Sequence, residues 1–534
     1  MSTARRLRSV ALALALVLPL TAGPDAAAAT RYRVQRLVAG TTLHSPNGIA
    51  LAPNGDLLTA SLASETVSIV DPRTGRNRTL VGPRDGRSDD LTVAPSGEIL
   101  WTDPVGGVVK GRAPDGRIRI VAHDLPGVNS IAFDRSGKHL YVGQLTFADA
   151  LWEIDPAGQI APRLVARDPG GLNAFAFGPD GMLYAPRSKY GEVARVDPRT
   201  GAISVIARGF RQPVSVRFDS RDRLYALDGA TGQLARIGPD GAKYTVATLP
   251  GADDNMIISP SGHAYVSNMA DSSISRIDLD TGVVKLVRSS RLAFPADLAS
   301  DGRTLYVADS TALRTVDART GAVGEIQRRL SSSLEFPSGI SVTAGHFVLT
   351  SELIGSVQVV DRATGKVVRE VHGLDNPADA VELPDGSLVI SEPAKGRLLH
   401  AVGETVRPLA ENLGTPTGLA VTQRGTVLAA DAGGRLFEVE PASGTTVERA
   451  SGLGGLRAVA VQPDGSVVVL DVAGRRVLSV NRQGKPKVLA TGLDVGYLRV
   501  PYARSGGLAI GSDGTVYVAA DRHNAIDAIR KTHR

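Results

Sequence analysis

The chain has 534 residues, 60 Lys+Arg against 54 Asp+Glu, 59 glycines and no cysteine. Missing cysteine excludes disulfide scaffolds, thiolate metal sites and cysteine nucleophiles, and a formal charge of +6 without a dense basic block argues against a nucleic-acid partner. The length points to two or three domains, and 43% hydrophobic against 21% charged residues is a globular balance.

In chain order the first element is a targeting segment. Residues 1–29 carry Arg5, Arg6 and Arg8, an apolar run over 10–20 and the alanines of 26–29. Charged start, short apolar middle and small-residue exit are the parts of a secretory signal peptide. About 11 apolar residues cannot cross a hydrocarbon core of roughly 30 Å, and no later run is long enough to span. The mature chain is therefore expected outside the cytoplasm: secreted, periplasmic or associated with the cell wall.

A repeat follows. Pro46-Asn47-Gly48-Ile49-Ala50-Leu51 leads into a turn at Gly55 and a second apolar strand, and Pro416-Thr417-Gly418-Leu419-Ala420-Val421 does the same ahead of Gly425. A third strand ends in a D-x-x-T-G turn, as in Asp71-Pro72-Arg73-Thr74-Gly75 and Asp197-Pro198-Arg199-Thr200-Gly201, and a fourth closes the unit. The turn after the first strand recurs at positions 55, 97, 137, 181, 222, 262, 302, 345, 386, 425, 465 and 514, in steps of 39 to 44 residues with a last step of 49. Four short antiparallel strands every ~40–45 residues are the pattern of a β-propeller blade. The fold class is all-β.

Twelve blades exceed the usual ring of about 4–8, so two tandem six-bladed propellers are expected, over residues 30–282 and 283–534. The last blade lacks a fourth strand, whereas residues 32–38 read as an isolated one. The expected exchange has 32–38 completing blade six and 283–288 completing blade twelve, so that neither ring keeps an open edge.

Chemistry is expected at a channel mouth, eight residues before each turn marker. In the first ring those residues are Asn47, Asp89, Asn129, Asn173, Val214 and Asp254; in the second they are small or neutral apart from Arg457. Asn and Asp serve turns in general, but the second ring makes the same turn without them. Five convergent oxygen donors suit a hard divalent cation, Ca²⁺ in first place. Asp89 or Asp103 is the candidate base. Glu65, Arg187, Lys189, Asp228 and Asn268, in loops between second and third strands, are candidate substrate contacts. His44 and His123 precede inner strands and could reach the mouth.

Ser88-Asp89-Asp90-Leu91-Thr92-Val93 with Gly97 and Trp101-Thr102-Asp103-Pro104 resembles a run of the SMP-30/gluconolactonase family, and Asn129-Ser130-Ile131-Ala132-Phe133 with Leu140-Tyr141-Val142 resembles another. NHL and strictosidine-synthase-like propellers are related to that family. The resemblance implies a six-bladed propeller with a divalent metal in its channel, hydrolysing a lactone or related small ester. It implies that Asn129 is a metal ligand, that Asp89 stands where the family has a substrate-contacting Asn, and that Asn47 and Asn173 replace the acidic ligands. Asp254 could restore a negative charge.

The second ring offers Asp297 and Asp379 one place further on. Its expected role is non-catalytic: packing against the first ring, or presenting a face to a protein partner. Two readings follow. One is a secreted metal-dependent hydrolase of a small molecule; the other is an extracellular NHL- or YVTN-type scaffold that binds a protein or small ligand.

Overall fold

The computed structural model describes residues 31–83, 85–145, 147–497 and 506–532, so the expected signal peptide lies outside the described residues. Among those residues the chain forms twelve four-stranded antiparallel sheets. Helix among the described residues is confined to two single turns, Pro393–Lys395 and Asp521–His523. Among the described residues no helix is long and apolar enough to cross a membrane.

Blade one shows the local logic. The strand Ile49–Leu51 turns at Gly55, whose N–H donates to the Ala52 carbonyl at 2.9 Å with φ at +85°, a conformation that favours glycine. The second strand, Leu57–Ser61, is buried along its whole length because neighbouring blades cover both its faces. The outermost strand, Asn77–Val81, is exposed at Arg78 and Thr79 and buried at Val81. Apolar side chains fill the spaces between blades: Ala50, Leu58, Ala60, Val67 and Val81 of blade one pack on Leu91 and Trp101 of blade two.

The innermost strands define two closed rings. Ile49–Leu51 packs against Leu91–Val93 of blade two and Asp253–Ile258 of blade six; Asp297–Ser300 of blade seven packs against Gly339–Val342 of blade eight and Leu508–Ile510 of blade twelve. Six blades therefore belong to each ring.

The strand exchange differs from expectation. Arg31–Val38 pairs with Ala525–Thr532 and so completes blade twelve, while Val284–Arg288 stays paired with Ser273–Asp278 in blade six. The physical reason is loop closure. The fourth strand of blade six follows its third across one short D-x-x-T-G hairpin and pairs at little entropic cost. Among the described residues no strand after Ala525–Thr532 covers the outer edge of blade twelve, and the strand that precedes ring one pairs with it. Ring one thus keeps residues to Arg288, beyond the boundary expected near 282, and ring two includes the first described strand.

The D-x-x-T-G turns lock each blade to its predecessor. A Cβ on Gly75 would stand 2.3 Å from the Val287 carbonyl oxygen of blade six, and one on Gly321 of blade seven 2.3 Å from that of Leu37. The two closures are therefore equivalent, with Arg31–Val38 in the place that Val284–Arg288 holds in the other ring.

The rings meet along their loop faces. Arg314 of ring two donates to Asp271 at 2.9 Å, Arg328 donates to the Gly251 carbonyl at 2.8 Å, and the Ser272 hydroxyl donates to the Ala293 carbonyl at 2.8 Å. His44 is buried in this seam, stacked on Tyr497 at 4.5 Å, and burial holds its pKa down to about 4.

Candidate functional site

All five Asn/Asp residues of the first ring line one cavity of about 270 Å³. Each sits where the chain enters an innermost strand, and the second strand anchors it. The Asn47 N–H donates to the Ala60 carbonyl at 2.8 Å, that of Asp89 to Thr102 at 3.0 Å and that of Asn173 to Pro186 at 3.3 Å. Propeller geometry therefore points all of these positions at the axis.

The side chains divide into carboxyls and their amide supports. The Asn129 amide donates to Asp89, and Asn47 hydrogen-bonds Asp254. The Asn47 carbonyl oxygen accepts the Leu62 N–H at 3.3 Å while its amide nitrogen meets the Met269 sulfur at 3.1 Å. The Asn173 oxygen accepts the Ala174 N–H at 2.9 Å. Burial pushes the Asp89 carboxyl well above the usual carboxylate range, and the neighbouring Asp254 and Asp90 push it further. Burial raises Asp254 to about 6, opposed by Arg329 and by the bond to Asn47. Two carboxyls that repel each other and share a positive neighbour titrate as a pair.

That positive neighbour was not visible as a site residue in the sequence. Arg329 belongs to ring two, in the segment joining blade seven to blade eight, and it lines the same cavity as Asp89 and Asp254. Its guanidinium also lies 3.9 Å from the centroid of the Phe336 ring. The sequence signal available was the run Arg328-Arg329 within one of the longer repeat steps; nothing local shows that it reaches the other ring.

A second polar layer adjoins the mouth. Asn255 donates to Asp90 at 2.9 Å and Arg217 donates to Asn255 at 3.0 Å and to the Ala174 carbonyl at 3.0 Å. Asp90 also accepts the Ile131 N–H at 3.3 Å, so one carboxylate ties blades two, three and six together. In ring two, Asp297 accepts N–H groups from Leu298 at 2.8 Å and Ile340 at 3.0 Å, and Asp379 from Ala380 at 2.8 Å and Leu419 at 2.7 Å. These aspartates brace adjacent blades.

The other predicted site residues lie apart from the carboxyl pair. Asp103 is ion-paired with Arg87 at 2.7 Å and Lys110 at 3.0 Å; burial acts to raise its pKa, but those cations and the Gly106 N–H hold it below the usual range. It is a loop clamp and a poor base. Arg187 is taken up by Glu192 at 2.7 Å and the Pro169 carbonyl at 2.7 Å, Lys189 by Asp149 at 2.9 Å, and Asp228 by the Arg211 N–H at 2.7 Å. Asn268 donates to Gly251 at 2.7 Å and to Asp253 at 2.9 Å. Glu65 differs: it lines a larger cavity of about 420 Å³ between the rings, 3.8 Å from Arg87. His123 is exposed, beside Asp124.

These residues fit a hard divalent cation poorly. The Asn129 amide nitrogen, rather than its oxygen, faces Asp89, the Asn47 and Asn173 oxygens already accept backbone N–H groups, and a guanidinium supplies positive charge to both carboxyls. Ca²⁺ needs six to eight oxygen ligands.

No family model and no curated protein matches the chain. Among solved structures it is similar to virginiamycin B lyase from Staphylococcus aureus, at 16% identity and a TM-score of 0.38 over 52% of this chain and 96% of that one. A structure described as a candidate gluconolactonase gives 15% identity and a TM-score of 0.38 over 49% and 94%. The extracellular domain of a candidate one-component system from B. thetaiotaomicron gives 10% identity and a TM-score of 0.33 over 94% and 83%. Likenesses of this extent carry no functional argument.

Proposed function

We propose that the mouth of ring one is a hydrolytic site for a lactone or related small ester, carried by Asp89 and Asp254 as a coupled carboxyl pair, in a chain exported from the cytoplasm. The observation that carries this reading is the convergence of both carboxyls and their amide supports on one cavity. With one proton shared, the ionised carboxyl takes a proton from water as the water oxygen attacks the ester carbon. The protonated partner then gives its proton to the departing oxygen as the C–O bond breaks, and a hydroxy acid leaves. Arg329 offers a positive charge to the oxyanion formed on the way. No step passes through a metal.

One observation favours the alternative, a non-catalytic extracellular scaffold that binds a small ligand or protein: Arg329 partly neutralises the carboxyls and would hold them as a structural ion cluster. Initial rates on a panel of five- and six-membered lactones and aryl esters, measured in chelator, separate the two. The hydrolytic reading predicts wild-type turnover, and a loss of roughly 10²–10⁴ in kcat for Asp89→Asn or Asp254→Asn with unchanged folding. A wild type that turns over none of the panel leaves the scaffold reading.

A further inference from the structure

The larger cavity, about 420 Å³, is built by both rings. Ring one contributes Asn47, Glu65 and Met269, and ring two Phe294, Phe336 and Glu352. That volume is within the range of small-molecule sites, which combine apolar walls with a few placed polar groups. It shares Asn47 and Phe336 with the smaller cavity that holds the carboxyl pair, so the two spaces adjoin.

Two polar atoms here are unexplained by the fold. Ser45 and Thr311 belong to the cavity wall from opposite rings, each residue is 1% exposed, and neither hydroxyl has a hydrogen-bond partner in the structure. A buried hydroxyl without a partner is unfavourable, so two of them in the wall of one cavity would be satisfied by a molecule that reaches them. The charges in the wall are matched within the protein: Glu65 lies 3.8 Å from Arg87, and Glu352 is attracted to Arg457. Neither sign is left in excess for an ionic ligand.

We propose that the cavity between the rings binds a neutral, amphipathic small molecule, with an apolar body against Phe294, Phe336 and Met269 and hydrogen-bonding groups at Ser45 and Thr311. Ring two is then the recognition half of the site rather than an appendage. Only the further step, that such a molecule presents its ester to Asp89 and Asp254, rests on the hydrolytic reading; the binding does not.

The probe is N-phenyl-1-naphthylamine, a neutral, non-hydrolysable fluorophore, titrated into the full chain beside its anionic counterpart 1-anilinonaphthalene-8-sulfonate. Saturable binding of the neutral probe at one site per chain is expected, with the anionic probe at least about tenfold weaker. Filling the cavity from ring one by Ala63→Phe, or from ring two by Ala296→Phe, should each weaken the neutral probe by about tenfold or more while the circular dichroism spectrum is kept. The proposal is overturned by absence of saturable binding, by binding that survives either filling substitution in a folded chain, or by equal affinity for the anionic probe. Because the probe is not a substrate, a failure to hydrolyse lactones leaves this result intact.

Discussion

Asp89 and Asp254 are similar in sequence context to many turn residues, and their surroundings make them chemically different. Burial raises both, mutual repulsion raises Asp89 further, and Arg329 pulls both down. Removing the guanidinium should therefore move the pair upward. For Arg329→Met the acidic limb of the pH–rate profile should shift to higher pH by about one unit, and an unchanged limb would show that Arg329 does not act on the pair. The Asn/Asp positions were legible because a fixed offset from a repeated turn maps onto one place in every blade. Asp103, a candidate base, and Asp228 and Asn268, candidate substrate contacts, lie apart from the carboxyl pair for a related reason. They end second strands, where the nearest unsatisfied groups belong to the neighbouring loops, and those groups consume them. Arg329 escaped because its partners are contributed by another ring, and periodicity within a blade carries no information about contacts between rings.

At the scale of the element, the strand Arg31–Val38 carries more than its length suggests. Among the described residues it is the only strand paired with the outer edge of Ala525–Thr532, and its Val38 joins the core shared by blades seven and twelve. Deleting residues 31–38 should open ring two and leave ring one closed. Hydrogen exchange is expected to show lost protection across 525–532 with blades two to five unchanged, and the exposed edge should promote association. Lost protection in blade six instead would restore the exchange expected from the sequence. The strand count and the need for an unpaired edge to be filled were readable from the repeat. Which edge is filled was not, because Arg31–Val38 and Val284–Arg288 both mix apolar with basic residues and neither pattern selects one edge, so loop closure decides between them.

At the scale of the molecule, buried carboxyls set the response to pH. Burial foremost pushes Asp90, Asp253, Asp254 and Asp309 to about 6 and Asp297 to about 7, against an ordinary 3.8. Between about pH 4 and 7 the folded chain therefore holds protons that the unfolded chain has released, and stability falls as pH rises through that window. Carboxylates held low, such as Asp219 and Asp301, lose their contribution only when pH drops below the ordinary carboxylate range. Thermal melting should thus occur at a higher temperature at pH 5 than at pH 7.5, and a melting temperature that instead climbs from pH 5 to 7.5 would show that these groups are ionised without penalty.

The arrangement of two rings places a cation from one into the acidic mouth of the other, and this is most directly tested by calcium titration calorimetry on three forms of the full chain: wild type, Arg329→Met, and Asp89→Ala/Asp254→Ala. No saturable Ca²⁺ binding should distinguish the wild type from the double alanine variant, because Arg329 already supplies the positive charge. One equivalent of Ca²⁺ bound by the wild type and lost in the double alanine variant would contradict this, and would make the mouth of ring one a metal site.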